Sequence, residues 1–297
     1  MSQSRSVWVE AARPKTLVAA LVPVLVGSSL AFTYGSFLWL PTTIALLCAF
    51  LIQIGTNFAN DYYDFIKGAD NDDRIGFVRA TAKGLVEPEK MKKAAFTTMI
   101  LAFFCGLYLV WHGGWVILLI GILSIAMGIA YTGGPFPLGY NGLGDVFVFI
   151  FFGLIAVMGT FYINTLEWSL LAFWASLAVG ALCVNILVIN NLRDIETDKK
   201  TGKRTLGVLF GEKALKMEYL FMLLIAFAIP PHFFVREGYG WQILIPFLML
   251  PFAIKLVLIV FRTSNKSVLN DTLVHTSAFM LIFGVLFSVG LILGNGQ

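Results

Sequence analysis

The sequence predicts an all-α integral membrane protein with nine transmembrane helices and a cytoplasmic N-terminus. Of its 297 residues, 58% are hydrophobic and only 13% are charged, whereas a soluble domain averages about 45–50% and about 25%. So few charged residues cannot cover a water-exposed surface of this size, and the apolar excess is therefore expected to face lipid. We expect one transmembrane domain over residues 1–297.

Long stretches without Asp, Glu, Lys or Arg locate the membrane spans. A helix needs roughly 20 apolar residues to cross a bilayer, and the uncharged stretches 16–60 and 94–144 are each long enough for two crossings. The glycine-containing segments 34–36 and 112–114 provide a turn in the middle of each stretch. The predicted spans are 16–33, 38–60, 94–111, 115–132, 143–163, 168–191, 218–235, 239–261 and 273–293.

The basic residues give the orientation. The N-terminus and the loops after the second, fourth, sixth and eighth spans contain every Lys and Arg except Arg236 and Lys255. The positive-inside rule makes this side cytoplasmic, which places the protein in the inner (cytoplasmic) membrane with these loops facing the cytoplasm. The net charge of +4 therefore reflects topology and attraction to anionic lipid headgroups, and it does not indicate nucleic-acid binding.

Two cytoplasmic segments, about 61–93 and 192–217, concentrate acidic residues where helices leave the membrane. Each begins with amide and carboxylate side chains three or four residues apart, a spacing that puts them on one helix face. We call these sets the first ladder (Asn57, Asn60, Asp61 and Asp64) and the second ladder (Asn190, Asn191, Asp194 and Asp198). Their equivalent positions, 130 residues apart, suggest an internal duplication.

The ladders predict a magnesium site. Stacked like charges repel by a few tenths of a kcal/mol per pair, and a charge near the bilayer centre costs about 2.5–3.5 kcal/mol, so a divalent cation is expected to offset these costs. Oxygen ligands that leave room for substrate phosphates suit Mg²⁺, and EF-hand spacing for Ca²⁺ is missing from the sequence. The candidate metal ligands are Asn60, Asp61, Asp64, Asp70, Asp194 and Asp198. An ordinary solvated loop explains Asp70, Asp72, Asp73 and Glu196 equally well.

Basic side chains accompany both ladders. Lys67, Arg74, Arg79 and Lys83 follow the first, and Lys203 and Arg204 follow the second. Carboxylate-bound metal together with Lys or Arg is suited to a diphosphate whose negative charge grows as it leaves. Each basic residue could instead serve only to fix the orientation of the chain in the membrane. We prefer this explanation for Lys90, Lys92 and Lys93.

At these residues the chain resembles the UbiA superfamily of membrane-embedded prenyltransferases, whose motifs are N-x3-D-x3-D and D-x3-D. Asn60 and Asp64 match the first two positions of the first motif, and Asp194 and Asp198 match the second. The segment 202–205, Gly-Lys-Arg-Thr, also fits.

The first motif departs from the family at its third acidic position, where this chain has Gly68, and Asp61 and Asp70 are the candidates to replace that ligand. This shifted pattern resembles the branch that prenylates 1,4-dihydroxy-2-naphthoate on the way to menaquinone. The segments 13–16, 73–76, 79–84, 131–135, 142–145 and 190–194 also match that branch, with Phe77 in place of its usual proline.

The resemblance implies a helix bundle around a central cavity open to the bilayer. It implies transfer of a polyprenyl group from polyprenyl diphosphate to 1,4-dihydroxy-2-naphthoate, with loss of diphosphate and carbon dioxide, giving demethylmenaquinone. Asp64, Asp194 and Asp198 are the expected catalytic residues, and with Asn60 they would hold two Mg²⁺ ions. The expected substrate-binding residues are Asn60, Asn191, Arg79, Lys203, Arg204, Arg13, Lys15, Tyr131 and Asp145.

Two alternatives are open at this point. A secondary transporter would have ionisable residues near the membrane midplane, and here only Lys255 lies well inside a span, with Asp145 at the mouth of another. We therefore favour an enzyme. Within the enzyme class the acceptor could instead be 4-hydroxybenzoate or homogentisate, and the sequence leaves prenyl chain length, the general base and the oligomeric state open.

Overall fold

A computed structural model describes residues 2–70 and 79–296, with side chains from Val7 onwards. Asp72, Asp73, Arg74 and Phe77, which the sequence patterns included, lie outside the described residues.

The described part of the chain consists of helices and short connections, without a strand. In chain order the helices are α1 (Ser2–Ala12), α2 (Val18–Thr33), α3 (Trp39–Ile66), α4 (Pro88–Gly113), α5 (Trp115–Ala130), α6 (Gly144–Thr165), α7 (Leu170–Lys200), α8 (Leu206–Phe210), α9 (Glu212–Arg236), α10 (Trp241–Arg262) and α11 (Lys266–Gly294). The short helix α8 was not predicted. The helices α3 and α7 extend past the ends of the predicted spans 38–60 and 168–191, so each contains the whole of its ladder.

Among the described residues, seven helices are long and apolar enough to cross a membrane: α3, α4, α6, α7, α9, α10 and α11. The end of α1 and all of α2 qualify together as an eighth span, with a bend of 46° between them. The apolar helix α5, Trp115–Ala130, is shorter. The prediction of an all-α, multi-pass membrane protein is confirmed, and the number of nine crossings stays a prediction.

The bend before α2 follows from Arg13-Pro14. Because proline excludes the α conformation from the residue before it, α1 must end here, and Arg13 takes a left-handed backbone with φ 53°. Asn57 of α3 stabilises this corner: its amide Nδ2 donates to Ala12 O at 2.9 Å and to Thr16 Oγ1 at 3.2 Å. The first amide of the first ladder thus positions the N-terminal segment.

The bundle is built around α7, whose most apolar 18-residue stretch is 78% buried. It packs against α6, α9 and α11, and together with α2 and α10 these helices form the main core. Glycines permit the closest approaches: a Cβ added at Gly153 of α6 would lie 2.7 Å from Gly180 Cα of α7. At Gly27 of α2 it would lie 2.5 Å from the carbonyl oxygen of Val157.

A π-helical segment, Phe149–Ile155, interrupts α6. Such wide turns recur at functional sites because they redirect side chains within a continuous helix. Here Phe151, Phe152 and Ile155 line the central cavity, while Gly153 packs against α7. The π-helical segment therefore contributes side chains to the cavity wall and a close backbone contact to α7.

The two ends of the bundle differ in composition. Antiparallel connections bring the C-terminal ends of α3 and α7, which carry the ladders, to the same end. Five Trp side chains that are more than half exposed lie at the opposite end, namely Trp39, Trp111, Trp115, Trp168 and Trp241. Tryptophan is enriched at membrane–water interfaces, so this ring is consistent with a helix bundle embedded in lipid.

Candidate active site

A cavity of about 400 Å³ lies between α2, α3, α4, α5, α6 and α7. Its ladder end contains the charged and amide side chains Arg13, Asn60, Asp64, Arg79, Asn190, Asn191, Asp198 and Lys203. Away from that end it is walled mainly by aliphatic, aromatic and glycine residues, and it reaches Leu109, Ile117 and Ile163 near the far ends of their helices. The arrangement joins a site for a charged group to a compartment for an apolar chain.

Asp64 is the centre of the charged end and is almost fully buried. One carboxylate oxygen, Oδ2, accepts a hydrogen bond from Arg79 Nη2 at 2.8 Å. The other oxygen, Oδ1, lies 2.7 Å from the Tyr140 hydroxyl, which donates to it, and 3.1 Å from Lys203 Nζ. Because a buried carboxylate needs compensating charge and hydrogen bonds, these three groups explain why Asp64 is tolerated here.

Lys203 joins the two ladders. Its ammonium nitrogen lies 3.1 Å from Asp64 of α3 and 4.0 Å from Asp198 of α7. The chain reaches this position by a turn after α7, in which Gly202 has φ 75° and the Lys203 N–H donates to Asp198 O at 2.9 Å. A single cation therefore lies between carboxylates that are 134 positions apart in sequence.

Tyr140 contacts both halves of the site, and sequence reasoning missed it. Besides its hydroxyl contact with Asp64, its ring has Lys67 Nζ and Lys203 Nζ each 4.7 Å from the centroid. Its carbonyl oxygen accepts from the Arg204 N–H at 2.9 Å. The sequence feature that could have indicated Tyr140 is its position: it is a polar aromatic residue in an uncharged loop on the same side of the membrane as the ladders.

Asn60 is positioned through Thr132, at the end of α5. The Thr132 hydroxyl donates to Asn60 Oδ1 at 2.8 Å, and Lys67 Nζ donates to the Thr132 carbonyl oxygen at 2.6 Å. Burial lowers the pKa of Lys67, and the nearby Asp64 carboxylate opposes that shift. The cluster places an ammonium group, an amide oxygen and a hydroxyl on one side of the cavity.

The structure gives Asp61 and Asp70 contacts away from the cavity. The two oxygens of Asp61 accept the backbone N–H groups of Ala80, at 2.9 Å, and Thr81, at 3.0 Å. Asp70 Oδ2 lies 3.3 Å from Arg79 Nε. In this arrangement both carboxylates shape the loop that delivers Arg79 to Asp64, and neither belongs to the cavity wall.

Asp194 is buried but does not line the cavity. Its two oxygens accept from Arg193 Nε and Nη2, both at 2.8 Å. Arg193 also donates to Asn190 Oδ1 at 2.8 Å and to Asn270 Oδ1 of α11 at 3.0 Å. Of the second ladder, Asn190, Asn191 and Asp198 face the cavity, whereas Asp194 would have to exchange Arg193 for a metal ion to act as a ligand.

The remaining predicted residues divide between the cavity and its surroundings. Arg13 and Tyr131 line it, and burial together with nearby carboxylates raises the pKa of the Tyr131 phenol. Lys15 and Arg204 are exposed and lie outside the cavity wall. Asp145, at the start of α6, is buried without facing the cavity.

The donor set fits Mg²⁺ held jointly with a phosphate group. Among the described residues, no three His, Cys, Asp or Glu side chains lie close enough together to form a metal site by themselves. Mg²⁺ is usually bound through one or two carboxylates plus substrate phosphates, with retained water. Asp64 and Asp198, with the amide oxygens of Asn60 and Asn191, supply such hard oxygen ligands around a point where Lys203 already places a positive charge.

Comparison with known proteins identifies the family. A model of the UbiA prenyltransferase family matches residues 20–283. The chain belongs to the UbiA prenyltransferase family. It is 37% identical over 297 residues to a 1,4-dihydroxy-2-naphthoate octaprenyltransferase of Escherichia coli (strain K12), with 97% of this chain and 96% of the relative covered. A protein of the same name from Haemophilus influenzae is 34% identical, with 99% and 98% covered.

Solved structures share the fold. A UbiA homolog from Aeropyrum pernix K1 has a TM-score of 0.68 at 19% identity, covering 92% of this chain and 97% of that one. A UbiA homolog from Archaeoglobus fulgidus, solved with DMAPP and Mg²⁺ bound, has a TM-score of 0.64 at 17% identity, covering 95% and 99%. At these identities the likeness establishes the UbiA fold alone.

The contacts of Asp61 predict a local effect of its removal. Asp61→Ala would leave the Ala80 and Thr81 N–H groups without their acceptor, at a cost of about 1–3 kcal/mol for each buried donor left unpaired. We expect faster proteolytic cleavage of the 79–86 loop in the variant than in the parent. Glu87→Ala, which alters an exposed side chain just after this loop, is the matched control. Equal cleavage rates in all three proteins would contradict the role assigned to Asp61.

Proposed function

We propose that this UbiA-family protein transfers a polyprenyl group from polyprenyl diphosphate to 1,4-dihydroxy-2-naphthoate, releasing diphosphate and carbon dioxide and giving demethylmenaquinol, the two-electron-reduced form of demethylmenaquinone. The observation that carries this is the meeting of Asp64 and Asp198 around Lys203, at the charged end of an otherwise apolar cavity. Two relatives of matching length, both named 1,4-dihydroxy-2-naphthoate octaprenyltransferase, support the acceptor and the donor class.

The diphosphate would bind at the charged end. Asn60, Asp64, Asn191 and Asp198 are the proposed metal ligands, and Asp194 is a further one if Arg193 releases it. Bound Mg²⁺ would stabilise the negative charge of the leaving diphosphate. With Asp64 and Asp198 holding the metal, Lys203 would be available to contact phosphate oxygens, and Arg79 would contribute a second positive charge.

Tyr140 would keep the ammonium groups in place during this exchange. Its ring lies against both Lys67 and Lys203. A cation–π contact is worth about 2 kcal/mol at a buried ammonium such as Lys203 and about 0.5–1 kcal/mol at an exposed one such as Lys67. The two lysines would therefore stay at the phosphate position after Asp64 has left them. Tyr140 is thus a positioning residue that links both halves of the diphosphate site.

The reaction then balances as an electrophilic substitution. The allylic C–O bond breaks and its electron pair leaves with the diphosphate. The prenyl cation accepts an electron pair from the naphthoate ring carbon that carries the carboxyl group, forming the new C–C bond. The carboxylate leaves as carbon dioxide, and the electrons of its C–C bond restore the aromatic ring. Tyr131, Phe147 and Phe151, which line the cavity, supply π faces and exclude water from the cation.

The acceptor carboxylate needs a positive partner, and Arg13 is the proposed one. It lines the cavity, and its backbone is fixed by the Pro14 corner and by Asn57. Lys15, Arg204 and Asp145 do not line the cavity, so we assign them no direct contact with either substrate in this conformation.

We also propose nine membrane crossings, with α5 as one of them, and a cytoplasmic N-terminus. The Lys and Arg distribution and the exposed Trp residues at the opposite end support this topology. Single cysteines in a cysteine-free background test it: Lys266→Cys should be protected from an impermeant thiol reagent in intact cells, and Arg236→Cys should react. The reverse pattern would contradict the orientation, and with it the cytoplasmic placement of the active site.

The function is tested with purified protein in nanodiscs, supplied with Mg²⁺, a polyprenyl diphosphate and equimolar 1,4-dihydroxy-2-naphthoate, 4-hydroxybenzoate and homogentisate. We expect mass spectrometry to find only the prenylated, decarboxylated naphthoate, and EDTA to abolish it. A different prenylated acceptor would retain the diphosphate site and overturn the proposed acceptor. Absence of transfer from a correctly folded sample would overturn the proposed reaction.

Asp-to-Asn variants distinguish the roles of the two carboxylates in the second ladder. We expect Asp198→Asn to abolish transfer and to weaken Mg²⁺-dependent binding of inorganic diphosphate, with little change in melting temperature without Mg²⁺. Asp194→Asn removes the charge that balances buried Arg193, and breaking a buried pair costs about 3–5 kcal/mol, so its melting temperature should fall. Calorimetry and thermal unfolding check both variants. If both variants showed the same fall in melting temperature and the same loss of diphosphate binding, this division of roles would be contradicted.

A further inference from the structure

Several glycines in and around the cavity wall are explained by helix packing. A glycine inside a helix is less favourable than alanine, so its presence needs a physical reason. A Cβ added at Gly128 of α5 would lie 2.6 Å from Thr56 Oγ1, and one added at Gly153 would meet Gly180. At such positions any side chain would push two helices apart.

Three cavity-lining glycines have no such neighbour. Around Gly121 of α5 nothing among the described residues lies within 4 Å of an added Cβ. Around Gly106 of α4 and Gly159 of α6, the single atoms found are Cys48 Sγ at 3.9 Å and Ile120 Cδ1 at 4.0 Å, which are ordinary van der Waals distances. All three are in the cavity wall and have ordinary helical backbones. Helix packing therefore does not require glycine here, and the space in front of them belongs to the cavity.

These glycines lie far from the charged end. Gly121 precedes Tyr131 by ten residues of α5, or about 15 Å at the helix rise of 1.5 Å per residue. Gly159 follows Gly144 by fifteen residues of α6, or about 22 Å. Gly106 faces Cys48, which precedes Asp64 by sixteen residues of α3, or about 24 Å. A group bound at these depths is apolar and extended.

We infer that Gly106, Gly121 and Gly159 form the tail channel of the cavity and set the length of prenyl chain that it accepts. The inference rests on the proposed function, because it assigns the apolar part of the cavity to the tail of the diphosphate substrate. A side chain at any of the three would fill the channel without displacing a helix. An added Cβ at Gly159 lies 4.0 Å from Ile120 Cδ1, next to Gly121, so the two glycines lie at a similar depth and a bulky residue at either is expected to exclude the longest chains.

The test compares Gly121→Phe and Gly159→Phe with the parent protein on all-trans prenyl diphosphates from geranyl to octaprenyl. Leu123→Phe is the matched control, since Leu123 lies two residues from Gly121 on α5 but outside the cavity wall. Gly121→Leu adds a smaller obstruction at the same position. Thermal unfolding in detergent is recorded for every variant.

For Gly121→Phe we expect parent-like kcat/KM with geranyl diphosphate and a loss of about tenfold or more with the longest donors, the scale on which apolar pockets reject misfitting groups. Gly159→Phe should likewise lose activity with the longest donors, and Leu123→Phe should leave the length profile unchanged. Competition of prenyl diphosphate analogues for bound inorganic diphosphate should show the same length dependence without turnover.

Two results would overturn the inference. An unchanged length profile in both glycine variants would mean that the tail leaves the cavity before it reaches these positions. An equal loss for every chain length, in variants with the parent's melting temperature, would mean that the glycines serve the reacting centre. Failure of the proposed function is distinguishable, because the parent protein would then transfer no prenyl group of any length.

Discussion

The pairing of buried carboxylates with buried cations around Asp64 is the interaction on which the rest of the site depends. Asp64 is compensated by Arg79, Lys203 and the Tyr140 hydroxyl, each delivered by a different segment of the chain. An isolated buried charge is strongly destabilising, whereas a paired and hydrogen-bonded one is tolerated. The loop after α3, the loop before α6 and the turn after α7 are therefore tied together by the same carboxylate. Folding the bundle and assembling the charged end of the cavity are in this sense the same event.

The same pairing of charges suits a site whose lysine would be replaced by a metal ion as the partner of the carboxylates. Lys203 lies between Asp64 and Asp198 and offsets the repulsion between the two carboxylates. In the proposed function, binding of Mg²⁺ and diphosphate would replace one set of charge pairs with another, and few buried charges would lose a partner. Preorganised charge of this kind is effective because the surrounding apolar walls keep water out.

Sequence patterns predicted the positions of the apolar helices and the polar end of the cavity well, because lipid imposes a strong and simple constraint on composition. They located Asn60, Asp64, Asp198 and Lys203, all of which line the cavity. Helical spacing, however, places a residue on a face without saying what that face meets. Asp61 and Asp194 fit the ladders as well as their neighbours do, yet one binds backbone N–H groups and the other its adjacent Arg193. Tyr140 was missed because its role depends on three segments that only the fold brings together.

At the apolar end of the cavity the helices contain two kinds of glycine, and sequence spacing is again insufficient to tell their surroundings apart. Gly27 and Gly153 are explained by helix contacts that would not form with a side chain, whereas Gly121 borders empty space. Sequence cannot separate the two kinds, since both occur as single glycines in apolar helices. What separates them is whether an added Cβ meets protein or cavity. The absence of a side chain is then itself a feature of the cavity wall. In the proposed function the charged residues would determine where the substrate's diphosphate lies, and the open wall would determine how far its tail extends.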